Sequence, residues 1–274
     1  MGRLKLDEIG YWSEIKIDII KKYAAAYSKI ISAKGIFTSC YIDAFFGSGK
    51  HIRKRTKETI EGSPIVALGI DTPFDEYYFI DIESDKIDYL KNQVGDRENV
   101  HCMVGDANEK LVQDVFPKTK FSDYRRALCV LDPYGLHLDW TVIQAAGDAR
   151  SIEIFLNFPV ADMNRNIFWK DPEGVDERDI MRMTRYWGDE TWRDAAYTTE
   201  KSLFAWQERT DNETVAEAFR VRLQDVAGFS FVPEPLPMRN NQGGVVYYLF
   251  FASHNPTGKK IVGDIFNKYR SRRA

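Results

Sequence analysis

Apolar and polar residues follow two periods that alternate along this chain of 274 residues. Residues 12–33 place isoleucines and tyrosines three and four positions apart, which predicts a long amphipathic helix. Residues 38–46 form a compact run of β-branched and aromatic residues that ends at a glycine, as expected of a buried parallel strand. Both patterns recur, with strand-like runs at 77–81, 99–106, 126–132 and 151–159 and helical stretches at 85–94 and 108–116.

This alternation of strands and helices predicts an α/β domain with a largely parallel sheet. A further helix is predicted to begin with Ser63 as its N-cap and Pro64 in its first turn. Strands are expected again at 229–238 and 244–253, joined by a hairpin turn, and a last helix from Thr257.

The predicted domain organisation has three parts. We expect a single domain over residues 1–274, with an N-terminal helical segment at 1–36. Residues 160–228 interrupt the rhythm with tryptophan-rich helical sequence and are predicted to be a helical insertion within that domain.

Composition narrows the class of protein. A hydrophobic content of 44% excludes disorder of the whole chain. Three widely spaced cysteines without a Cys-x-x-Cys pair indicate reduced thiols, and the histidines show no metal-ligand spacing, so no metal is expected. No apolar run reaches membrane-spanning length and no signal core is visible, so we expect a cytoplasmic protein that does not enter a membrane.

The first strand runs into a glycine turn, 41-YIDAFFGSGK-50. A phosphate-binding P-loop would need glycine and Ser/Thr where Ala44 and His51 stand. A dinucleotide fingerprint would need a third glycine and a helix directly after the turn, but the next helix begins only at Ser63. S-adenosylmethionine remains, since it has no pyrophosphate and needs only close backbone approach and acids at neighbouring strand ends.

Four successive predicted strands end in an aspartate, namely Asp43, Asp81, Asp106 and Asp132. Any one of them could be a helix N-cap. Ligands of open α/β sheets bind in the crevice beyond the carboxyl ends of the strands. The four carboxylates together therefore indicate a ligand crevice.

The fourth strand end reads Asp132-Pro133-Tyr134-Gly135. Taken alone, this is an ordinary turn sequence. At the end of an apolar strand, a carboxylate and a proline-fixed carbonyl could accept the hydrogens of an exocyclic amine, while the tyrosine stacks on a planar base. A base within a duplex or a folded RNA would have to be turned out into such a pocket.

This ordered set of segments resembles a class I methyltransferase. More narrowly, it is similar to the bacterial three-Cys-motif partner proteins, the TcmP family. The segments that carry the resemblance are 41-YIDAFFGSG-49, 62-GSP-64, 79-FID-81, 105-GD-106, 131-LDPYG-135 and 156-LNFP-159. The resemblance implies a Rossmann-like fold with an antiparallel strand near the sheet edge, S-adenosylmethionine as cofactor, and a partner protein that carries three clustered cysteines and resembles radical S-adenosylmethionine proteins.

The resemblance also implies roles for individual residues. The glycine turn would approach the methionine part, Asp81 the ribose and Asp106 the adenine. The predicted cofactor-binding residues are Asp43, Phe45, Gly47, Gly49, Asp81, Ile82, Asp106, Ala107 and Asp132, and the predicted catalytic residues are Asp132, Pro133 and Tyr134. The single proline departs from the Asp/Asn-Pro-Pro-aromatic pattern of adenine methyltransferases and is nearer to the Asp-Pro-Phe-Gly of tRNA guanine-N2 methyltransferases, so adenine and guanine both stay open.

A run of basic residues follows the glycine turn, from Lys50 to Lys57. Cations beside the crevice would neutralise phosphates near a target base. The predicted substrate-binding residues are Lys50, Arg53, Lys54, Arg55, Asn157 and Arg165.

The function predicted from the sequence is an S-adenosylmethionine-dependent methyltransferase that acts on an exocyclic base amine of RNA, with DNA as the second choice. The alternative is a methyltransferase-fold binding module that serves the three-cysteine partner without transfer activity of its own. Methylation of a protein or a small molecule is a third hypothesis.

Overall fold

The computed structural model describes residues 7–47, 49–54, 56–199 and 207–270. These residues form twelve strands, β1 to β12: Asp7–Ile9, Thr38–Ala44, Lys50–Arg53, Thr59–Glu61, Glu76–Asp81, Val100–Val104, Arg125–Leu131, Ile152–Phe158, Tyr197–Thr199, Gln207–Arg209, Leu236–Arg239 and Val245–Ala252. They also form ten α-helices, α1 to α10: Tyr11–Lys34, Ser63–Leu68, Ser84–Val94, Ala107–Lys110, Trp140–Ala149, Val160–Asn166, Glu177–Trp187, Trp192–Ala196, Asn212–Asp225 and Pro256–Arg270.

A sheet of seven strands organises the molecule, in the order β11-β12-β8-β7-β2-β5-β6. The five strands from β8 to β6 pair in parallel. Strand β12 runs antiparallel to β8 and to the edge strand β11. The prediction of a mostly parallel Rossmann-like methyltransferase fold with an antiparallel strand near its edge is confirmed.

Two hydrophobic cores cover the two faces of this sheet. Side chains alternate between them along each strand, so that Ile42 enters one core while Tyr41 enters the other. Helices α5, α7 and α9 pack on the first face, and α1, α3 and α10 on the second. Each fully buried large apolar side chain contributes about 1.5–3 kcal/mol of transfer free energy to this arrangement. The period of two in the strands thus produces a three-layer α/β/α architecture.

The first helix, α1, is amphipathic as predicted. Its buried positions recur every three or four residues, from Ile19 through Tyr23 and Tyr27 to Ile31. Gly35 ends the helix in the left-handed conformation, with φ 67°, and its N–H donates to the Ser32 carbonyl. Lys16, in the second turn, contacts Asp132 just after β7, so the first turns of the helix lie near the carboxyl ends of the strands.

A second, small sheet lies beside the glycine turn. Strand β1 pairs in parallel with β3, and β3 pairs antiparallel with β4. We call residues 50–61 the basic hairpin. Its described residues contribute strands β3 and β4, and β3 holds strand β1, which precedes α1.

Three local predictions are corrected. Ser63 is the first residue of α2 rather than its N-cap, a position that Gly62 occupies, because the Ser63 hydroxyl is engaged with Asp43. The helix expected at 108–116 continues only to Lys110 in α form, and residues Leu111–Val115 form a π-helical turn. The strand expected at 229–238 pairs regularly only over Leu236–Arg239, since prolines at 233, 235 and 237 remove backbone donors.

Residues 160–228 contain helices α6 to α9 and the antiparallel pair β9 and β10. Trp187 and Trp192 lie in the core, Trp169 is partly exposed, and Trp206 lies outside the described residues. In the part of the chain that the structure describes, no helix combines the length and apolarity needed to cross a bilayer.

Candidate functional site

A large cavity opens at the carboxyl ends of the parallel strands, with a volume of about 1040 Å³. Its wall brings together predicted site residues from five separate segments: Phe45, Gly47, Asp81, Ile82, Asp106, Ala107, Asp132, Pro133, Tyr134 and Asn157. Ligand pockets for one small molecule usually occupy roughly 300–1,000 Å³. The cavity is therefore large enough for a cofactor and a second planar group.

The glycine turn shapes one end of this cavity. Gly47 and Gly49 have φ values of 69° and 68°, a region that favours glycine. The Gly62 N–H donates to the Gly49 carbonyl at 2.8 Å. A Cβ atom on Gly62 would lie 2.9 Å from the Gly49 backbone, so glycine is required at position 62 as well. Sequence reasoning used Gly62 only as a part of a motif and missed this close packing.

Asp81, at the end of β5, fastens the glycine turn to the neighbouring strand. Its Oδ2 accepts the Gly47 N–H at 3.1 Å, and its Oδ1 accepts the Glu83 N–H at 2.9 Å. The next residue, Ile82, presents a side chain that is 71% exposed to the cavity side. A carboxylate beside a bare apolar surface suits a sugar hydroxyl next to a planar ring.

Asp106 caps helix α4, with its Oδ1 accepting the Asn108 N–H at 2.8 Å. Asn108 also bridges to the loop after β7, since its Nδ2 donates to the His137 carbonyl at 3.1 Å and its Oδ1 accepts the Asp139 N–H at 2.8 Å. This side chain thus ties the third and fourth strand ends together. Sequence reasoning did not identify Asn108, because a single asparagine in a helical stretch gives no signal of its long-range partners.

Asp132 lies between two partners at the centre of the cavity wall. Lys16 of α1 donates a hydrogen bond to its Oδ2, and Asn157 of β8 donates to its Oδ1 at 2.9 Å. The Lys16 side chain is only 11% exposed, and its ammonium lies 5.4 Å from the centre of the Tyr247 ring. A buried lysine therefore compensates the charge of the carboxylate that the sequence places at the acceptor side.

The residues after Asp132 divide into a fixed part and an open part. Pro133 is buried, whereas Tyr134 is 89% exposed and stands on the cavity rim. Gly135 has φ 60°, and a Cβ atom there would meet the Asp162 carboxylate at 2.9 Å. The backbone of this turn is thus held in place while the tyrosine ring keeps both faces open for stacking.

Asp43 is at the end of β2 but does not line the cavity, because it is buried behind Ser63, which does. Burial raises the pKa of Asp43 to about 7, against the opposing effect of the Ser63 hydrogen bond, and the neighbouring Asp132 charge raises it further. Its Oδ1 finds no hydrogen-bond partner among the described residues. Asp43 therefore acts on the site through Ser63 and through charge rather than by direct contact.

Other predicted binding residues also lie off the cavity wall. The ones in the described chain are Gly49, Lys50, Arg53, Lys54 and Arg165, and Arg55 lies outside the described residues. In the basic hairpin, strand β3 pairs with β1 and places His51 on the cavity wall, while Lys50, Arg53 and Lys54 lie off it. Arg165 is exposed near the end of the short helix α6.

Carboxylates neutralise two cations of the basic hairpin. Arg53 donates to Glu14 at 3.0 Å and to Glu58 at 2.5 Å, and Lys57 pairs with Glu8 at 2.6 Å. These ion pairs fasten the hairpin to β1 and α1. The hairpin therefore stabilises the part of the cavity wall that β1 and α1 form.

The N-terminal elements and helix α7 supply wall residues that sequence reasoning missed. Trp12 and Ser13 of α1 line one side, while Arg182 and Arg185 of α7 line the other. Arg185 donates to Asp139 at 2.6 Å, and this carboxylate raises the arginine pKa. Groups of three or more His, Cys, Asp or Glu residues with metal-binding geometry do not occur among the residues described.

Comparison with known proteins gives a likeness of fold. No known family model and no curated protein matches the sequence. The crystal structure of protein LPL1258 from Legionella pneumophila strain Philadelphia 1, described by the family model DUF519, superposes with a TM-score of 0.52 over 92% of both chains at 12% identity. A candidate methyltransferase from Thermobifida fusca YX gives a TM-score of 0.42 at 15% identity, over 88% of this chain and 81% of the other.

At such low identities a structural likeness extends to the fold alone. The strand order and the antiparallel β12 agree with it. The fold of this chain is therefore a mostly parallel, Rossmann-like α/β fold.

Proposed function

We propose that this chain is an S-adenosylmethionine-dependent methyltransferase whose acceptor is the exocyclic amine of a base in RNA. The observation that carries the proposal is the meeting of three strand-end carboxylates, Asp81, Asp106 and Asp132, on the wall of one cavity beside a glycine turn. Ligands of this fold class bind at that edge of the sheet.

The charge of the cavity suits a cationic cofactor. Its wall carries six carboxylates and four cations from Lys and Arg, a formal balance of −2 with neutral histidines: Glu8, Asp81, Glu83, Asp106, Asp132 and Asp139 against Lys16, Lys86, Arg182 and Arg185. A sulfonium and an ammonium would be attracted to this surface, whereas a pyrophosphate would be repelled. The negative charge balance of the cavity wall therefore fits S-adenosylmethionine better than a dinucleotide.

Within this cavity Gly47 and Asp81 would hold the methionine and ribose parts, and Asp106 and Ile82 the adenine. When bound, S-adenosylmethionine supplies a methyl group on a sulfonium sulfur that a nitrogen lone pair can attack. Asp132 and the Pro133 carbonyl accept hydrogen bonds from the acceptor amine, which aims its lone pair at the methyl carbon. Holding two reactants in line accounts for much of the rate of such a transfer.

The acceptor side fits a planar, uncharged amine. Tyr134 offers an open ring for stacking, and Asp132 offers the oxygens that amine hydrogens require. Lys16 donates to one oxygen of Asp132, and the carboxylate oxygens can accept the hydrogens that orient the amine. Adenine and guanine both present such an amine.

A second candidate is the methyltransferase-fold binding module, for which the TcmP resemblance supplies the partner. One observation favours it: both oxygens of Asp132 already have donors, Lys16 and Asn157. In this alternative the carboxylate is a structural group, and the chain binds S-adenosylmethionine and its three-cysteine partner without transferring the methyl group.

Calorimetry and methyl transfer separate the two candidates. Wild type should bind S-adenosylmethionine and move a radiolabelled methyl group into bulk tRNA or ribosomal RNA. Asp132→Ala should keep cofactor binding and lose at least about 100-fold of the transfer rate, as expected when a positioning contact is removed. Asp148→Ala, an exposed carboxylate on α5 away from the cavity, is the matched control and should transfer at the wild-type rate.

Two outcomes would decide against the proposal. Cofactor binding without label in RNA or DNA, with or without the partner, would favour the binding module. A wild-type protein that binds no S-adenosylmethionine would exclude both candidates.

A further inference from the structure

The amino ends of β2 and β7 carry a cluster of exposed apolar side chains on the edge of the sheet opposite to the cavity. These strands pair with Thr38 opposite Arg125. The exposed fractions are 62% for Ile36, 54% for Phe121 and 58% for Tyr124. We call the whole surface the amino-end patch: Lys34, Ile36, Phe37, Lys120, Phe121, Tyr124 and Arg126. Soluble proteins rarely leave neighbouring aromatic residues open to water without a partner.

The backbone holds these aromatic rings in place. Residues Phe121–Asp123 form a 3₁₀ turn, and Tyr124 follows in the left-handed conformation with φ 57°. Its carbonyl accepts the Thr38 N–H at 3.1 Å, which fastens the turn to β2. A left-handed tyrosine is uncommon and costs free energy. The fold thus presents Tyr124 outward on a fixed support.

Cations lie on the aromatic faces of the patch. The Arg126 guanidinium lies 3.8 Å from the centre of the Phe121 ring and 4.4 Å from that of Phe37. The Lys34 ammonium lies 5.7 Å from the Phe37 ring centre. Among the described residues, Lys34, Lys120 and Arg126 form no ion pair with a carboxylate. Their charge is therefore available to a ligand, unlike the charge of Arg53 in the basic hairpin.

The local charge is strongly positive on a chain whose net charge is −3. Residues 34–37 and 118–126 contain five cations and one carboxylate, Asp123, which gives a local formal charge of +4. The five cations are Lys34, Lys118, Lys120, Arg125 and Arg126. Arg125 pairs with Glu76, and this still leaves an excess of positive charge. The surface is complementary to a polyanion.

We propose that the amino-end patch binds single-stranded nucleic acid, with bases stacked on Tyr124 and Phe121 and phosphates beside Lys34, Lys120 and Arg126. Interleaved aromatic and basic side chains are the usual composition of such surfaces. A protein partner is less well matched, because lysine is depleted from protein interfaces and the patch has two lysines, Lys34 and Lys120.

The patch extends the proposed function, on which its biological role rests, by giving the RNA a second contact. Strand β7 runs from Arg125, between Tyr124 and Arg126 of the patch, to the residue before Asp132. Its seven residues cover roughly 20 Å at about 3.3 Å per residue. A polynucleotide that crosses the molecule at this side could touch both ends of the strand, so the patch would anchor the RNA while the base enters the cavity.

Fluorescence anisotropy with a labelled, unstructured single-stranded RNA of about 12 nucleotides tests the patch directly. F121S/Y124S should weaken binding roughly 10- to 100-fold, as expected for two lost stacking contacts. K34Q/K120Q should weaken binding and reduce the dependence of log Kd on log salt concentration by about 1 to 2. The matched control V221S/V226S removes two other exposed apolar side chains and should bind like wild type.

Circular dichroism and calorimetry with S-adenosylmethionine accompany each variant. Unchanged melting and cofactor affinity would show that a loss of RNA binding is local to the patch. RNA affinity equal to wild type in both patch variants would overturn the proposal, as would a shift from dimer to monomer in F121S/Y124S at unchanged RNA affinity, which would assign the patch to self-association. If RNA binding depends on the patch but no methyl transfer is found, the proposed function fails and the binding surface stands.

Discussion

The two ends of the central sheet carry opposite kinds of surface. At the carboxyl ends, polar side chains converge on a cavity whose wall has more carboxylates than cations. At the amino ends, aromatic rings are open to water and cations outnumber carboxylates. The difference agrees with the two proposals, a small cationic ligand at one end and a polyanion at the other.

The same contrast separates two basic segments of the chain. The basic hairpin has the denser run of cations in the sequence, but Arg53 and Lys57 are held by Glu14, Glu58 and Glu8. Those ion pairs neutralise the charge of the two side chains and hold the hairpin against β1 and α1. In the amino-end patch, Lys34 and Arg126 lie on aromatic rings. An aromatic ring carries no net charge, so it does not neutralise these cations. Charge density along a sequence is therefore a weak guide to which cations stay unpaired in the fold.

The carboxyl end should respond most strongly to Asp81→Ala. This change removes the acceptor of the Gly47 and Glu83 N–H groups and loosens the glycine turn. We expect S-adenosylmethionine affinity to fall about 100-fold, equivalent to ~2.7 kcal/mol, in a calorimetric titration. Binding of single-stranded RNA at the patch should not change.

The control for this variant is Asp85→Ala, an exposed carboxylate in the first turn of α3. It should bind the cofactor as wild type does. Equal cofactor affinity in Asp81→Ala and wild type would contradict the proposed difference between the two ends of the sheet, because the cavity would then not be the cofactor site.

Lys16→Met should give the next largest effect. Methionine keeps the apolar stem but leaves the Asp132 carboxylate without its cation, and removal of one partner from a partly buried ion pair is costly. We expect methyl transfer to slow by about 10- to 30-fold at unchanged RNA affinity, a loss typical of one charge-assisted hydrogen bond. Single-turnover kinetics measures it.

Lys21→Met, on the exposed side of the same helix, is the matched control. In the double variant Lys16→Met/Asp132→Ala the two losses should not add, because both act on one ion pair. Additive losses would show that Lys16 acts independently of Asp132.

The sequence predicts more of the sheet than of the contacts around it. The period of two and the aspartates at the strand ends located the cavity edge, since parallel strands align their carboxyl ends whatever their order. The ion pair of Lys16 with Asp132 joins residues 116 positions apart and leaves no local pattern. The amino-end patch likewise exists only because β2 and β7 are neighbours in the sheet, which brings residue 37 beside residues 121–126.

Asp43 explains why not every strand-end carboxylate of the series lines the cavity. Asp43 is buried behind Ser63, and its Oδ1 has no hydrogen-bond partner among the described residues, whereas Asp81 and Asp132 accept hydrogen bonds at the cavity wall. Whether a strand-end carboxylate reaches the cavity wall depends on the packing of α1 and α2. The residue pattern of one strand does not predict that packing.

The smallest effect is expected from the pH dependence of stability in Asp43→Asn. The folded pKa of Asp43, about 7, lies above its ordinary value of 3.8, so the folded state holds a proton that the unfolded state has lost between these values. Its contribution to stability is complete below about pH 4 and is lost as the pH rises through 7, by roughly 1 kcal/mol between pH 6 and pH 8. Urea unfolding should show a smaller fall in the free energy of unfolding between these two pH values in Asp43→Asn than in wild type.

The matched variant is Glu153→Gln, because burial also raises the pKa of Glu153 to about 7. This variant should remove the part of the fall that Glu153 causes. An unchanged drop in Asp43→Asn would mean that Asp43 does not take up a proton in the folded protein between these pH values.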